Sequence, residues 1–169
     1  LMFSATWPKS VQNLANEFLN DPIQIKIGSQ DLNANKNIKQ IVEVVERHEK
    51  KRKLFELLEK LLKNDEKILL FTLYKKSTNW LYNELRRNGY DNVVMMNGNM
   101  KQYERERALK QFTNGEKQIL IATDVVSRGM DIKNVNYVIN YEYPLTTEDY
   151  IHRIGRTGRA GRTGTAFTF

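Results

Sequence analysis

The chain has 169 residues, of which 40% are hydrophobic and 28% are charged, and its net charge is +7. This composition excludes wholesale disorder and suits an α/β domain that buries about 70% of its unfolded surface. The sequence has no cysteine, which excludes disulfides, thiolate zinc sites and cysteine nucleophiles and favours a reducing, intracellular compartment. No apolar run approaches the ~18 residues of a membrane span. The surplus of basic residues makes a polyanion such as nucleic acid a fair partner.

The first 39 residues predict the end of one domain followed by a linker. Residues 1–3 read as a strand, Trp7-Pro8 opens a helix to about Asn20, and residues 22–27 alternate as a second strand. Residues 28–39 are polar and aperiodic, as linkers are. We therefore expect 1–27 to close a preceding domain, 28–39 to link, and 40–169 to form a second domain that stops before its natural end. The apolar face of the first segment needs burial, and we expect it to dock on this domain, on a neighbouring molecule in a crystal or in a swapped dimer.

Strand and helix patterns alternate along residues 40–169. The predicted strands are 40–45, 67–73, 93–96, 118–123, 135–141 and 165–169. The predicted helices are 51–63, 77–88, with Ser77 as its N-cap, and 103–112, and a further helix starts at Thr146. This order predicts an α/β doubly wound parallel sheet with helices on both faces, in which ligands bind at the carboxyl ends of the strands.

Residues 150–164 are the most informative segment, because arginines and glycines recur there at a spacing of three. They are Arg153, Arg156, Arg159, Arg162, Gly155, Gly158, Gly161 and Gly164. One interpretation is a flexible segment that coats nucleic acid. Against it, the run is confined between a helix start and an apolar strand, which favours ordered guanidinium groups that bind phosphate.

A second segment, residues 121–131, places polar groups directly after a strand. Thr123-Asp124 ends the strand, and the following loop offers Arg128, Gly129 and Asp131. A carboxylate there could hold Mg²⁺ or a ribose hydroxyl, or it could cap a short helix. The sequence contains no Gly-Lys dipeptide and hence no phosphate-cradling P-loop. The chain therefore has arginines that could bind phosphate, but it lacks the P-loop that would bind the nucleotide.

Together these segments resemble the second RecA-like domain of DEAD-box RNA helicases, a superfamily 2 group, over essentially the whole chain. The matching motifs are Ser4-Ala5-Thr6 (SAT), residues 68–77 (the place of motif IV), Gln102-x-x-Arg105 (QxxR), Thr123-Asp124 with Arg128-Gly129-x-Asp131 (motif V) and His152 to Arg159 (motif VI, in full). Residues 5–8 and 150–151 resemble the nuclear sixty-eight-kilodalton helicase subgroup.

The resemblance implies a RecA-like fold and an ATPase site shared with a preceding domain, which brings the P-loop and the DEAD carboxylates. It implies ATP and Mg²⁺, bound mainly by that domain, and no metal ligand in this chain. Its partners would be RNA, the preceding domain and RNP proteins, without a membrane, and its location nuclear or also cytoplasmic. By this resemblance, Arg156 and Arg159 would act as arginine fingers on the γ-phosphate, and Gly129 and Asp131 would lie near the ribose and phosphates. The residues that would couple domain closure to hydrolysis are His152, Arg153, Arg128, Ser4, Ala5 and Thr6. The residues that would contact the RNA backbone are Gly98, Gln102, Arg105, Thr123 and Asp124.

Several departures and alternatives stay open. Asn97 and Asn99 stand where the family often has His and Asp, and Gln102 and Arg105 could instead pair with Glu104 or Glu106. Residues 50–53 form a basic run that is typical of a solvated helix face. A non-catalytic binding module with this fold and a DNA-directed superfamily 2 helicase are the alternative functions.

Overall fold

The computed structural model describes residues 1–4, 7–25, 34–63, 65–127, 132 and 135–169. The chain divides into two compact units, residues 1–33 and residues 34–169. Among the residues so described, no helix is long and apolar enough to cross a membrane.

The described residues of the first unit contain one helix, α1 (Lys9–Phe18), which begins directly after Pro8. The predicted strands at 1–3 and 22–27 are wrong for 1–3 and 22–25, which form no strand; residues 26 and 27 lie outside the described residues. A strand needs a hydrogen-bonded neighbour, and within the described part of the chain no strand pairs with these segments. Phe18, Ile23 and Ile25 of the apolar face are exposed in this single chain.

The second unit is built on a parallel sheet. Its strands are β1 (Ile38–Val42), β2 (Ile68–Phe71), β3 (Val93–Met96), β4 (Ile119–Ala122), β5 (Tyr137–Asn140) and β6 (Gly164–Thr168). Their order across the described sheet is β1-β6-β5-β2-β4-β3, and every paired neighbour is parallel. The predicted fold class is therefore confirmed. β2 lies between β4 and β5, so the segments that follow these three strands meet at one edge.

Helices cover both faces of this sheet. They are α2 (Lys50–Leu61), α3 (Lys75–Arg87), α4 (Gln102–Thr113), the short α5 (Asp124–Ser127) and α6 (Thr147–Ile154). α6 starts as predicted, because the Thr146 hydroxyl accepts a hydrogen bond from the Asp149 amide at 3.0 Å. α3 starts two residues before the predicted cap, so Ser77 lies within its first turn and makes no N-cap.

Alternation along the strands builds two apolar layers. On one face, Leu69, Phe71 and Leu120 pack with residues of α4 and α6. On the other face, Ile68 and Leu70 pack with residues of α2 and α3. All four residues of β2 and all four of β4 are buried, as expected of central strands in a sheet covered on both sides.

The end of the predicted linker belongs to the second unit. β1 begins at Ile38, and the Asn37 carbonyl accepts from the Gly164 amide at 3.0 Å. The Asn35 side-chain amide donates to the Gly158 carbonyl at 2.8 Å. These contacts attach residues 35–38 to the strand and turn that carry the arginine-rich segment.

Candidate functional site

Three neighbouring strands, β4, β2 and β5, end in buried polar residues at the carboxyl edge of the sheet. Phe71, the last residue of β2, is in register with Ala122 of β4 and Asn140 of β5. Thr72 and Asn140 are fully buried, and Thr123 nearly so. The sheet thus places the start of segment 121–131, which follows β4, beside the ends of β2 and β5.

Arg153 of α6 is the centre of this edge, with 1% of its side chain exposed. Its Nε and Nη2 donate to the two carboxylate oxygens of Asp124 at 2.6 and 2.5 Å. Its Nη1 donates to Asn140 Oδ1 at 3.3 Å and to the Glu142 carbonyl at 2.8 Å. The guanidinium also lies 5.1 Å from the centre of the Phe71 ring. One side chain therefore ties together the ends of three strands.

This clamp changes the expected roles of two residues. Asp124 was expected to contact RNA, but both of its carboxylate oxygens already accept from Arg153. A carboxylate also repels phosphate, so Asp124 is better suited to positioning Thr123 beside it. Arg153 was expected at a domain interface, whereas its side chain is buried inside this domain. Any effect of Arg153 on an interface is therefore indirect.

The rest of the arginine-rich segment forms a turn between α6 and β6 whose contacts support the ordered interpretation. Thr157 is buried, forms a bridge with Val135, and its hydroxyl bonds the Val135 and Asn136 carbonyls at 2.7 and 2.9 Å. Gly158 has φ +66°, and a Cβ there would lie 2.7 Å from Ile38, so glycine is required. Beyond it, the exposed Arg159 donates from Nε to the Gly155 carbonyl at 2.7 Å.

The helix that carries this segment is anchored to β1 as well. The Tyr150 hydroxyl donates to Gln40 Oε1 at 2.9 Å. Burial raises the pKa of Tyr150, which keeps the phenol protonated as a donor. His152 and Arg156, on the same helix and its first following turn, are half-buried. The site thus combines a fixed base with more accessible side chains.

The two residues of the QxxR motif at the start of α4 differ in their contacts, since Gln102 has a side-chain partner and Arg105 Nε has none. Gln102 Nε2 donates to Glu106 Oε1 at 2.8 Å, as the alternative interpretation allowed. Glu104 is occupied by the Lys101 amide at 2.7 Å. Arg105 forms no ion pair with Glu104 or Glu106. Its Nε is buried and has no hydrogen-bond partner, and among the described residues it is the only buried side-chain nitrogen or oxygen of this kind. An unpaired buried donor is costly, so this Nε needs an acceptor from outside the chain, either water or a ligand.

The turn after β3 is held by the side-chain amides of Asn97 and Asn99. Asn97 is buried, donates to Asn79 Oδ1 at 2.8 Å and accepts from the Asn99 amide at 3.0 Å. Lys75 Nζ donates to Asn99 Oδ1 at 2.8 Å, and its Cε lies 3.3 Å from where a Cβ on Gly98 would be. Asn97 and Asn99 thus hold an ordered turn, and Lys75 lies beside Gly98 in it.

Some predicted site residues cannot be located. Ala5, Thr6, Arg128, Gly129 and Asp131 lie outside the described residues. Ser4 lies in the first unit. Within the described part of the chain, no group of three or more His, Asp or Glu side chains could hold a metal ion.

Sequence reasoning missed three participants at this edge. Lys75 and Glu142 follow strand ends, so the strand-end rule could have found both. Lys50 was expected on a solvated face, which is wrong, because its Nζ donates to the carbonyls of Tyr141 and Phe169 at 3.3 and 3.1 Å. No pattern in a basic run distinguishes such a lysine from its solvated neighbours.

Comparison with known proteins agrees with this geometry. The family described as helicase conserved C-terminal domain matches residues 49–161. The ATP-dependent RNA helicase DBP3 of Saccharomyces cerevisiae is 55% identical over 172 residues, covering 99% of this chain and 33% of that protein. The chain thus spans about a third of the length of the curated relatives it matches.

Two solved structures extend the comparison. S. cerevisiae Dbp5 bound to RNA and ADP BeF3 aligns with TM-score 0.86 at 32% identity, over 99% of this chain and 44% of that one. The E. coli DEAD-box protein SrmB, bound to regulator of ribonuclease activity A, aligns with TM-score 0.68 at 34% identity, over 79% of this chain and 77% of that one. With the parallel sheet and the arginine-rich turn at its carboxyl edge, these matches show that the chain belongs to the DEAD-box RNA helicase family, as its helicase C-terminal domain.

Proposed function

We propose that this chain is the half of an ATP-dependent RNA helicase that supplies arginine fingers for ATP hydrolysis and a surface for the RNA backbone. The proposal rests on one observation, the different exposure of two arginines in the arginine-rich segment. Arg153 is buried and anchors the segment, whereas Arg159 is exposed. A finger needs a rigid base and an accessible guanidinium, and this turn offers both.

The chemistry asked of the fingers is charge neutralisation. Arg156 and Arg159 would donate to the γ-phosphate oxygens of ATP, where negative charge must be stabilised in phosphoryl transfer. Gly129 and Asp131 remain predicted contacts for ribose and phosphates. The family uses ATP, and we propose that Mg²⁺, the P-loop and the DEAD carboxylates come from a preceding domain, so the isolated chain should lack ATPase activity.

The RNA surface would lie along the same edge, around the starts of α3 and α4. The unpaired Arg105 Nε, the Gly98 turn with Lys75, and Thr123 present donors and close-lying backbone to a phosphate chain. Gln102 would order this corner through Glu106. Contacts of this type read phosphate and sugar, so binding should be largely independent of sequence.

The remaining assignments concern coupling and partners. We propose that residues 1–27 close the preceding domain and that its Ser4-Ala5-Thr6 segment, together with His152 and Arg128, links domain closure to hydrolysis. The exposed Phe18, Ile23 and Ile25 would then be covered by that domain, or by a second copy in a swapped dimer of the fragment. A nuclear location and RNP protein partners remain proposals from the family resemblance.

The test is RNA-stimulated ATP hydrolysis by the full-length protein. Arg159→Ala should lower the rate on the order of 10³-fold, as loss of an arginine finger does. Arg162→Ala is the matched control, three residues further along the same run, and should keep the wild-type rate. A protein that binds RNA but never hydrolyses ATP would instead be a binding module with a helicase fold.

The RNA surface is tested by direct binding of the full-length protein to a labelled single-stranded RNA at several salt concentrations. Arg105→Gln should weaken binding and reduce the slope of log affinity against log salt by roughly 0.7, the value of one phosphate contact on a single strand. Arg107→Gln, an exposed arginine on the same helix, should leave both quantities unchanged. If the two substitutions weaken binding equally, Arg105 contributes only non-specific positive charge and makes no particular phosphate contact.

A further inference from the structure

Glu142, in the loop between β5 and α6, contacts two parts of the candidate site at once. Its carboxylate accepts from the Leu73 amide at 2.6 Å and from the Ser77 hydroxyl at 2.9 Å. Its backbone carbonyl accepts from Arg153 Nη1 at 2.8 Å. The residue thus joins the start of α3 to the buried anchor of the arginine-rich turn.

The start of α3 depends on this carboxylate because the helix provides none of its own. Its N-cap residue, Tyr74, makes no side-chain capping bond, and its first turn contains no acidic residue. That turn instead begins with Lys75 and Lys76, whose charges are unfavourable at the positive end of a helix dipole. Glu142 supplies the missing negative charge and fixes the orientation of the turn.

The orientation of this turn decides where Lys75 lies. Lys75 is the first residue of α3, and its side chain extends over Gly98 to Asn99. A shift of the first turn would therefore move the ammonium group away from the corner at which RNA backbone is proposed to bind. The carboxylate reaches Lys75 only through the helix backbone and Ser77, so its effect is indirect.

We infer that Glu142 is a positioning residue for RNA binding, which holds the Lys75 end of α3 against the Arg153 anchor. The inference rests on the proposed function, since it assumes that the corner formed by Lys75 and Gly98 faces RNA. It assigns to the β5–α6 loop a role that none of the helicase motifs in this sequence covers.

The experiment measures affinity of the full-length protein for fluorescein-labelled single-stranded oligouridine by anisotropy, with ATP hydrolysis and thermal unfolding recorded on the same samples. Glu142→Gln is nearly isosteric but removes the charge and one acceptor, and should weaken RNA binding about tenfold, the size of one charge-assisted hydrogen bond. Glu84→Gln is the matched control, because Glu84 on α3 pairs with Lys51 and Arg87 and has no link to Arg153. It should leave RNA affinity unchanged.

A double-mutant cycle separates positioning from general stability. If Glu142 acts through Lys75, Glu142→Gln should have little further effect on RNA affinity in a Lys75→Ala background. Additive losses, or a loss that merely follows the drop in unfolding temperature, would overturn the inference. Unchanged RNA affinity in Glu142→Gln would overturn it as well. Absence of ATP hydrolysis in the wild type would overturn the proposed enzyme function alone, because RNA affinity is read directly.

Discussion

The first and last arginines of the HRIGRTGR motif differ entirely in environment. Arg153 is buried and has its donors distributed over Asp124, Asn140 and Glu142, whereas Arg159 is exposed and makes one bond to the backbone of Gly155. Both belong to a run with a regular spacing of three. The difference teaches that one motif combines a buried structural arginine with an exposed one, and that residue type does not reveal which is which.

The position of each arginine relative to α6 explains the difference. Arg153 lies in the last turn of the helix, on the face that packs over β2, β4 and β5. Arg159 follows Gly158, whose left-handed backbone lies against Ile38 of β1, and it precedes β6 in the turn that leads there. Stability should therefore depend on the first arginine and phosphate chemistry on the last.

The largest expected effect comes from removing the buried anchor. Arg153→Met should destabilise the chain by about 3–5 kcal/mol, because it leaves the Asp124 carboxylate without its partner in a mostly buried place. Urea denaturation followed by circular dichroism measures this change. Adding Asp124→Asn should recover part of the loss, since the unpaired charge is then gone. A single-variant loss below about 1 kcal/mol would show that Arg153 is not the anchor.

A smaller effect is expected at the start of the helix that carries both arginines. Thr146→Ala removes the hydroxyl that accepts from the Asp149 amide and should cost about 1 kcal/mol of stability. Thr147→Ala is the matched control, since Thr147 is the first helical residue and makes no capping bond. If the two substitutions cost the same in denaturant, the cap does not stabilise α6.

The sequence predicted local features of this molecule well. Apolar runs and alternation placed all six strands of the second unit, and the pattern at Thr146 placed the start of α6. The strand predicted at 67–73 is shorter, from Ile68 to Phe71, because only that stretch pairs in register on both sides. Such ends depend on neighbouring strands and not on local composition.

The buried clamp could not be predicted in the same way. Arg153 and Asp124 lie 29 residues apart, and they meet because β5 and β4 both flank β2. Strand order is set by how the whole chain packs, and hydrophobic periodicity carries no information about it. The place of Glu142 after a strand was open to prediction, but its contacts with Leu73 and Ser77 were not, since those residues follow a different strand.

The smallest expected effect on stability sharpens the comparison most. Arg159→Ala should change the free energy of unfolding by less than about 0.5 kcal/mol, because its side chain is exposed and its one bond to Gly155 is made in water. Urea denaturation of this chain measures it beside Arg153→Met. The same substitution is expected to abolish most ATP hydrolysis in the full-length protein, so unchanged stability would assign that loss to chemistry. A destabilisation as large as that of Arg153→Met would instead mean that both ends of the segment are structural, and the division between anchor and finger would fail.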